Sequence, residues 1–215
     1  KLLRIIQEFD GEKNTSLYDE IVMFYQEKVH QISCNQQDTL YSKMRCGGFI
    51  VDNEDDAAIY VDHVAKKHKG KFQALYHRFF TDNKAIFESD VSLVVWGCGV
   101  GLDLFAFYDT AMRQERPELW VRVRHIVLMD VSPWALERAR EVAEILFPTA
   151  TVITKCIDFT DTRLLNELEE LEVDDHSLVP RVHLISNVLD LIVEHRVSFF
   201  DAFCSFAQER GKVNE

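Results

Sequence analysis

Three glycines stand at alternate positions in Trp96-Gly97-Cys98-Gly99-Val100-Gly101, directly after the apolar run Val91-Ser92-Leu93-Val94-Val95. A mostly β-branched run halted by glycines reads as a buried strand and a tight turn, and a helical pattern follows from Asp103. Glycine removes the side chain that keeps a ligand off the backbone, so such a turn brings N–H groups against the nucleotide end of a ligand. Further apolar runs also stop at polar residues. Arg124 to Met129 ends at Asp130, Thr151 to Ile157 at Asp158, and Val182 to Ser186 at Asn187. A carboxylate can accept two hydrogen bonds at once, which suits Asp130 and Asp158 to holding a polar ligand.

These residues need elements that bring them together. From residue 91 onward strand patterns alternate with helical ones. Leu104, Phe107, Tyr108, Ala111 and Met112 recur at helical spacing until the polar stretch 113–118, which contains Pro117. Ser132-Pro133 is a strong helix start, with serine as N-cap and proline at the first helical position. Leu136, Ala139, Val142, Ala143 and Leu146 carry that helix to Pro148. Leu164, Leu165, Leu168 and Leu171 suggest a short acidic helix, and Val197, Phe200, Phe203 and Ala207 a last one. Strands alternating with helices predict an α/β fold: a mostly parallel sheet with helices on both faces. Ligands of such sheets bind beyond the carboxyl ends of the strands, where Gly97 to Gly101, Asp130, Asp158 and Asn187 would gather.

Residues 1–90 read as a helical N-terminal extension, and 91–215 as the ligand-binding core. Ser16 with Asp19 resembles a capping box, and Leu17, Ile21, Phe24, Tyr25, Val29 and Ile32 follow at helical spacing. Asn35 to Asn53 reads as a polar connection broken at Gly47-Gly48. Asp55 or Asp56 then caps a helix carrying Ala57, Val61, Val64, Ala65 and His68, which Gly70 interrupts. Phe72, Leu75, Tyr76, Phe79 and Phe80 form the next stripe, read as core packing ahead of a lid. Lys66-Lys67-His68-Lys69-Gly70-Lys71, the one basic cluster, reads as a solvated helix end ahead of a phosphate site.

The usual dinucleotide fingerprint places a glycine or alanine three residues after its second glycine; here that residue is Leu102. The pattern is therefore G-x-G-x-G. With Val127-Leu128-Met129-Asp130-Val131-Ser132 and Cys156-Ile157-Asp158-Phe159, it resembles the class I S-adenosylmethionine-dependent methyltransferases, over about residues 70–190. The resemblance implies a Rossmann-like core binding S-adenosyl-L-methionine. It implies that Gly97, Cys98, Gly99 and Gly101 pass their backbone along the methionine and ribose parts. It gives the ribose hydroxyls to Asp130 and the adenine amino group to Asp158. Ile157 or Phe159 would lie near the ring, with Val131 and Trp134 as further apolar contacts. Asn187 and Asp190 become the residues that orient an acceptor.

Each role has a structural alternative: Asp130 as part of a cap, Asp158 as an N-cap, Trp134 as packing, Asn187 and Asp190 as turn residues. The family usually carries an acid two residues before the first glycine, facing the methionine amino group; here that residue is Val95. The Asn/Asp-Pro-Pro-aromatic motif of amino-methylating nucleic-acid enzymes and the Pro-Cys nucleophile of cytosine C5 enzymes are both missing from the sequence.

The net charge of −12 comprises −3 over residues 1–90 and −9 over 91–215, which opposes broad nucleic-acid binding. A small molecule or protein acceptor is slightly favoured, and a nucleic acid reached through Lys66 to Lys71 stays open. Five widely spaced cysteines without a CxxC predict reduced thiols and a cytoplasmic protein. His30, Cys34 and Cys46 make too few ligands for zinc, so no metal is expected. No apolar run is long enough for a membrane, and Lys1 to Arg4 lacks a signal peptide's apolar stretch. A complete sheet of the family has seven strands against four legible here. A missing segment or a partner chain would complete it. The first reading is a methyltransferase. A non-catalytic scaffold of the same fold comes second and a nicotinamide-dependent oxidoreductase third.

Overall fold

A computed structural model describes residues 1–9, 16–45, 49–114, 119–158 and 179–185. Among these, four helices precede the sheet: α1 (Leu2–Gln7), α2 (Leu17–Val29), α3 (Cys34–Arg45) and α4 (Glu54–Asp82), with a 3-10 turn at Lys84–Glu88. Then come β1 (Val91–Trp96), α5 (Leu102–Arg113), the short α6 (Leu119–Arg122), β2 (Val123–Asp130), α7 (Pro133–Leu146), β3 (Thr151–Cys156) and β4 (Arg181–Ile185). The two helices expected around 164–171 and 197–207 lie outside the described residues.

The strands pair in the order β3-β2-β1-β4, all parallel. The fold is α/β and Rossmann-like, with a helical part ahead of it. Chain order reverses between β1 and β4, and in open parallel sheets that switch point opens a crevice at the strands' carboxyl ends. Leu93 sits beside Ile126 and Val182, and Val95 beside Leu128 and Leu184. This face joins the core of α5 and α7, to which Leu104, Phe105, Ala139 and Val142 contribute. Val94, Trp96, Val127 and Met129 point to the opposite face and are buried too. A strand apolar on both faces is what the continuous run from Val91 to Trp96 encodes.

The helical part shares that core. Ser16 caps α2 as expected, accepting from the Asp19 amide at 3.0 Å. Leu17, Ile21, Phe24, Tyr25, Val29 and Ile32 are all buried. Leu17 N–H donates to Asp109 of α5 at 2.9 Å, fastening the start of α2 to the sheet's first helix. Tyr76 and Phe80 of α4 meet Phe107 of α5, with ring centroids 5.5 and 5.0 Å apart. Burying each such side chain contributes about 1.5–3 kcal/mol.

Four expectations are corrected here. Most of the connection predicted from Asn35 is helix α3, a polar helix whose one buried apolar side chain among the described residues is Leu40. The cap of α4 is Asn53, whose side chain accepts from the Asp56 amide at 2.9 Å; neither Asp55 nor Asp56 takes that place. Gly70 does not interrupt: α4 runs unbroken for 29 residues. A glycine inside a helix costs only about 1 kcal/mol relative to alanine, less than the packing of Phe72, Tyr76 and Phe80 provides. The basic cluster is therefore mid-helix, not at an end. Lys66 pairs with Asp62 at 2.8 Å and Lys69 with Asp19 of α2 at 2.5 Å. No helix among the described residues is long and apolar enough to cross a membrane.

Candidate functional site

The turn after β1 is built as the glycines predict. Gly97, Gly99 and Gly101 have φ of 61°, 49° and 88°, the left-handed region that glycine enters without steric penalty. Their bare sides face different neighbours. A Cβ on Gly101 would stand 3.3 Å from Val142 Cγ1, so this glycine lets α7 close on the start of α5. A Cβ on Gly99 would stand 3.5 Å from Cε1 and 3.7 Å from the hydroxyl of Tyr60, on α4.

Asp130, the last residue of β2, holds this turn. Gly99 N–H donates to Oδ2 at 2.8 Å and Ser132 N–H to Oδ1 at 2.9 Å. Cys98 N–H donates to the Met129 carbonyl at 3.0 Å, and Ile157 N–H to the Asp130 carbonyl at 2.9 Å. Ends of three adjacent strands are thereby locked together. Burial raises the Asp130 carboxyl above its ordinary range, and the amides of Ser132, Gly99 and Val131 offset part of that. An ionised carboxylate offers about four acceptor positions, so about one remains beyond these three amides. Both readings of Asp130 thus have a physical basis: it braces the turn into α7 and keeps acceptor capacity for a ligand.

Ser132 is the N-cap of α7, accepting from Ala135 N–H at 3.0 Å, with Pro133 following as predicted. Its hydroxyl donates to the carbonyl of Val51, just ahead of α4. Tyr60 and Val51 thus bring the helical part over the strand ends, although sequence spacing pointed to neither. Only an unexplained tyrosine on the apolar side of a helix hinted at the first.

The remaining candidates fall out unevenly. Val131 is exposed, and the Cys156 thiol donates to its carbonyl at 3.4 Å. Trp134 is half-buried, with the Arg138 guanidinium 5.4 Å from its ring centroid. Ile157 is buried and Asp158 exposed just past β3. Val95 is completely buried in the core. The Cys98 side chain is buried too, and burial, with Asp130 and Asp103 adding, pushes its thiol far up, so only its backbone can serve a ligand. Phe159, Asn187 and Asp190 lie outside the described residues. Among the described residues no group of three or more His, Cys, Asp or Glu is placed to hold a metal ion.

No protein-family model, curated protein or solved structure matches this chain. The site therefore stands on its own chemistry.

A buried carboxylate follows the turn. Asp103, in the first turn of α5, accepts from the Tyr76 hydroxyl at 3.1 Å. Burial, then the Asp103 charge, pushes the Tyr76 hydroxyl well up, so it acts as a neutral donor. Tyr18 of α2, which donates to the Ala65 carbonyl at 3.1 Å, is pushed up in the same way. Tyr18 thus ties α2 to α4, and Tyr76 ties α4 to the helix that the glycine turn begins.

Proposed function

We propose that the chain is an S-adenosylmethionine-dependent methyltransferase. The observation that supports this most is the pairing of Gly99 with Asp130: a left-handed glycine turn whose amide is held by the acid ending the next strand. The remaining acceptor capacity of Asp130, about one position, fits a ribose hydroxyl. Gly97, Gly99 and Gly101 keep side chains away from the turn, and Asp158, exposed just past β3, suits an adenine amino group. Val131 offers exposed apolar surface nearby. At the methionine end Val95 does not fit, since it offers no charge to an ammonium group and is buried.

When bound, this cofactor supplies a sulfonium-activated methyl group. The protein's part is then to align donor and acceptor and to exclude water, which needs no strong nucleophile or base. Asn187 and Asp190 are the proposed acceptor-orienting residues. The acidic balance favours a small molecule or protein as acceptor. Cys34, Cys98 and Cys156 are free thiols, in keeping with a cytoplasmic protein.

Titration calorimetry of the chain with S-adenosylhomocysteine tests the reading. Saturable one-site binding that weakens at least about tenfold in Asp130→Ala, with the fold retained by circular dichroism, is expected. No binding to the wild-type chain would overturn it. The buried Val95 favours a second reading, a non-catalytic member that binds cofactor without transferring methyl groups. Labelled-methyl transfer to any component of a cell extract, lost in Asp130→Ala, decides between the two.

A further inference from the structure

We propose that the Tyr60 side chain is a gate on the glycine turn: its ring stands closed over the Gly99 backbone in this structure and turns away when a ligand lies along it. This rests on the methyltransferase reading.

Three observations carry it. The ring leaves no room for a ligand. A Cβ on Gly99 would already touch it, at 3.5 Å from Cε1, 3.7 Å from the hydroxyl and 3.8 Å from Cζ. The gap between ring and backbone is thus about one methyl group deep, too shallow for a ribose or a thioether chain. The second observation is what does the closing. The bare side of Gly101 is closed at 3.3 Å by Val142, a completely buried core residue. The bare side of Gly99 is closed by a side chain that is only half-buried, between Ile59 and Val61, which are completely buried.

The third observation is that the helix itself is held. Asn53 caps α4, and the Val51 carbonyl just ahead of it takes the Ser132 hydroxyl at the strand ends. The ring therefore moves about its own side-chain bonds while α4 stays in place, as partly exposed side chains do between rotamers. Such a gate costs affinity, because only the open fraction of molecules binds. A ring that stands open about a tenth to a third of the time weakens the ligand about three- to tenfold.

Calorimetry with S-adenosylhomocysteine tests the gate in the wild-type chain, in Tyr60→Ala and in Tyr60→Phe. Tyr60→Ala removes the cover and is expected to bind about three- to tenfold more tightly than the wild type. Tyr60→Phe keeps the cover and is expected to bind within about twofold of it. Equal or weaker binding in Tyr60→Ala overturns the gate and leaves the methyltransferase reading intact. So does weaker binding in Tyr60→Phe, which would make the hydroxyl a ligand contact. Failure of the wild type and Tyr60→Ala alike to bind overturns both. A second measurement needs no folded alanine variant. In wild-type protein carrying meta-fluorotyrosine, the Tyr60 fluorine signal, assigned by its loss in Tyr60→Phe, should become more accessible to a dissolved paramagnetic agent on saturation with S-adenosylhomocysteine. A signal that is no more accessible at saturation overturns the gate.

Discussion

The Tyr76 hydroxyl donates to the Asp103 carboxylate at 3.1 Å, with both side chains buried between α4 and α5. Tyr76→Phe keeps the ring against Phe107 and withdraws the donor from a buried carboxylate. Leaving such a group short of a partner costs about 1–3 kcal/mol. Urea denaturation should show a midpoint lowered accordingly, with the slope unchanged. An unaltered midpoint would show that this bond does not fasten the helical part to the core.

Two glycines should respond oppositely to alanine. Gly101→Ala places a Cβ 3.3 Å from Val142 at a φ of 88°, so it combines backbone strain with crowding and should cost about 1–3 kcal/mol. Gly70 lies mid-helix with nothing within 4 Å of an added Cβ, so Gly70→Ala should stabilise by about 0.5–1 kcal/mol. Thermal melts of the two variants read both signs.

Asp109 gives a pH dependence. Burial raises its carboxyl above the ordinary range, outweighing the Arg113 charge and the Leu17 amide. Its folded pKa is thus above its unfolded one, the folded state holds the proton more tightly, and stability from this group falls as pH rises through that interval. Asp109→Asn keeps an acceptor for Leu17 N–H and cannot titrate. The stability of the wild type relative to this variant should therefore rise on acidification from neutral pH towards about 4, the ordinary carboxylate value. A flat difference in urea titrations at several pH values would contradict the assignment.

His183 works in the opposite sense. It accepts from Trp96 Nε1 through Nδ1 at 3.2 Å, and burial, then Arg181, lowers its pKa from 6.5 to about 4. Its contribution is present above pH 6.5 and is lost as pH falls to about 4, because the unfolded chain takes up the proton first. At about 1.4 kcal/mol per unit the loss amounts to about 3 kcal/mol. His183→Gln, which keeps an acceptor and does not titrate, should lack that acid slope. Equal slopes in the two proteins would place His183 in contact with water.

The parts of the molecule legible in the sequence are those set by neighbours along the chain. The caps Ser16 and Ser132, the four strands, the glycine turn and Asp130 at a strand end all follow from local rules: hydrogen-bonding caps, alternating or continuous apolar runs, and a residue that tolerates positive φ. The candidate site was legible only as a set of strand ends. Where packing outweighed local preference, the reading failed. Gly70 looked like an ending because the apolar stripe that carries α4 across it is stabilised only by distant elements, α2 and α5. Helix α3 looked like a connection because one buried leucine makes too faint a period.

The sequence by itself thus determined the α/β order of elements, the glycine turn after β1 and the acid that ends β2. Tertiary structure alone decided what stands over them. Tyr60 against Gly99, Val51 against Ser132 and Tyr76 against Asp103 each join residues far apart in the chain. Helix and strand periodicity specify which face of an element is apolar, not which distant element will cover it. That choice falls to the shared core, where the burial of both partners is settled at once.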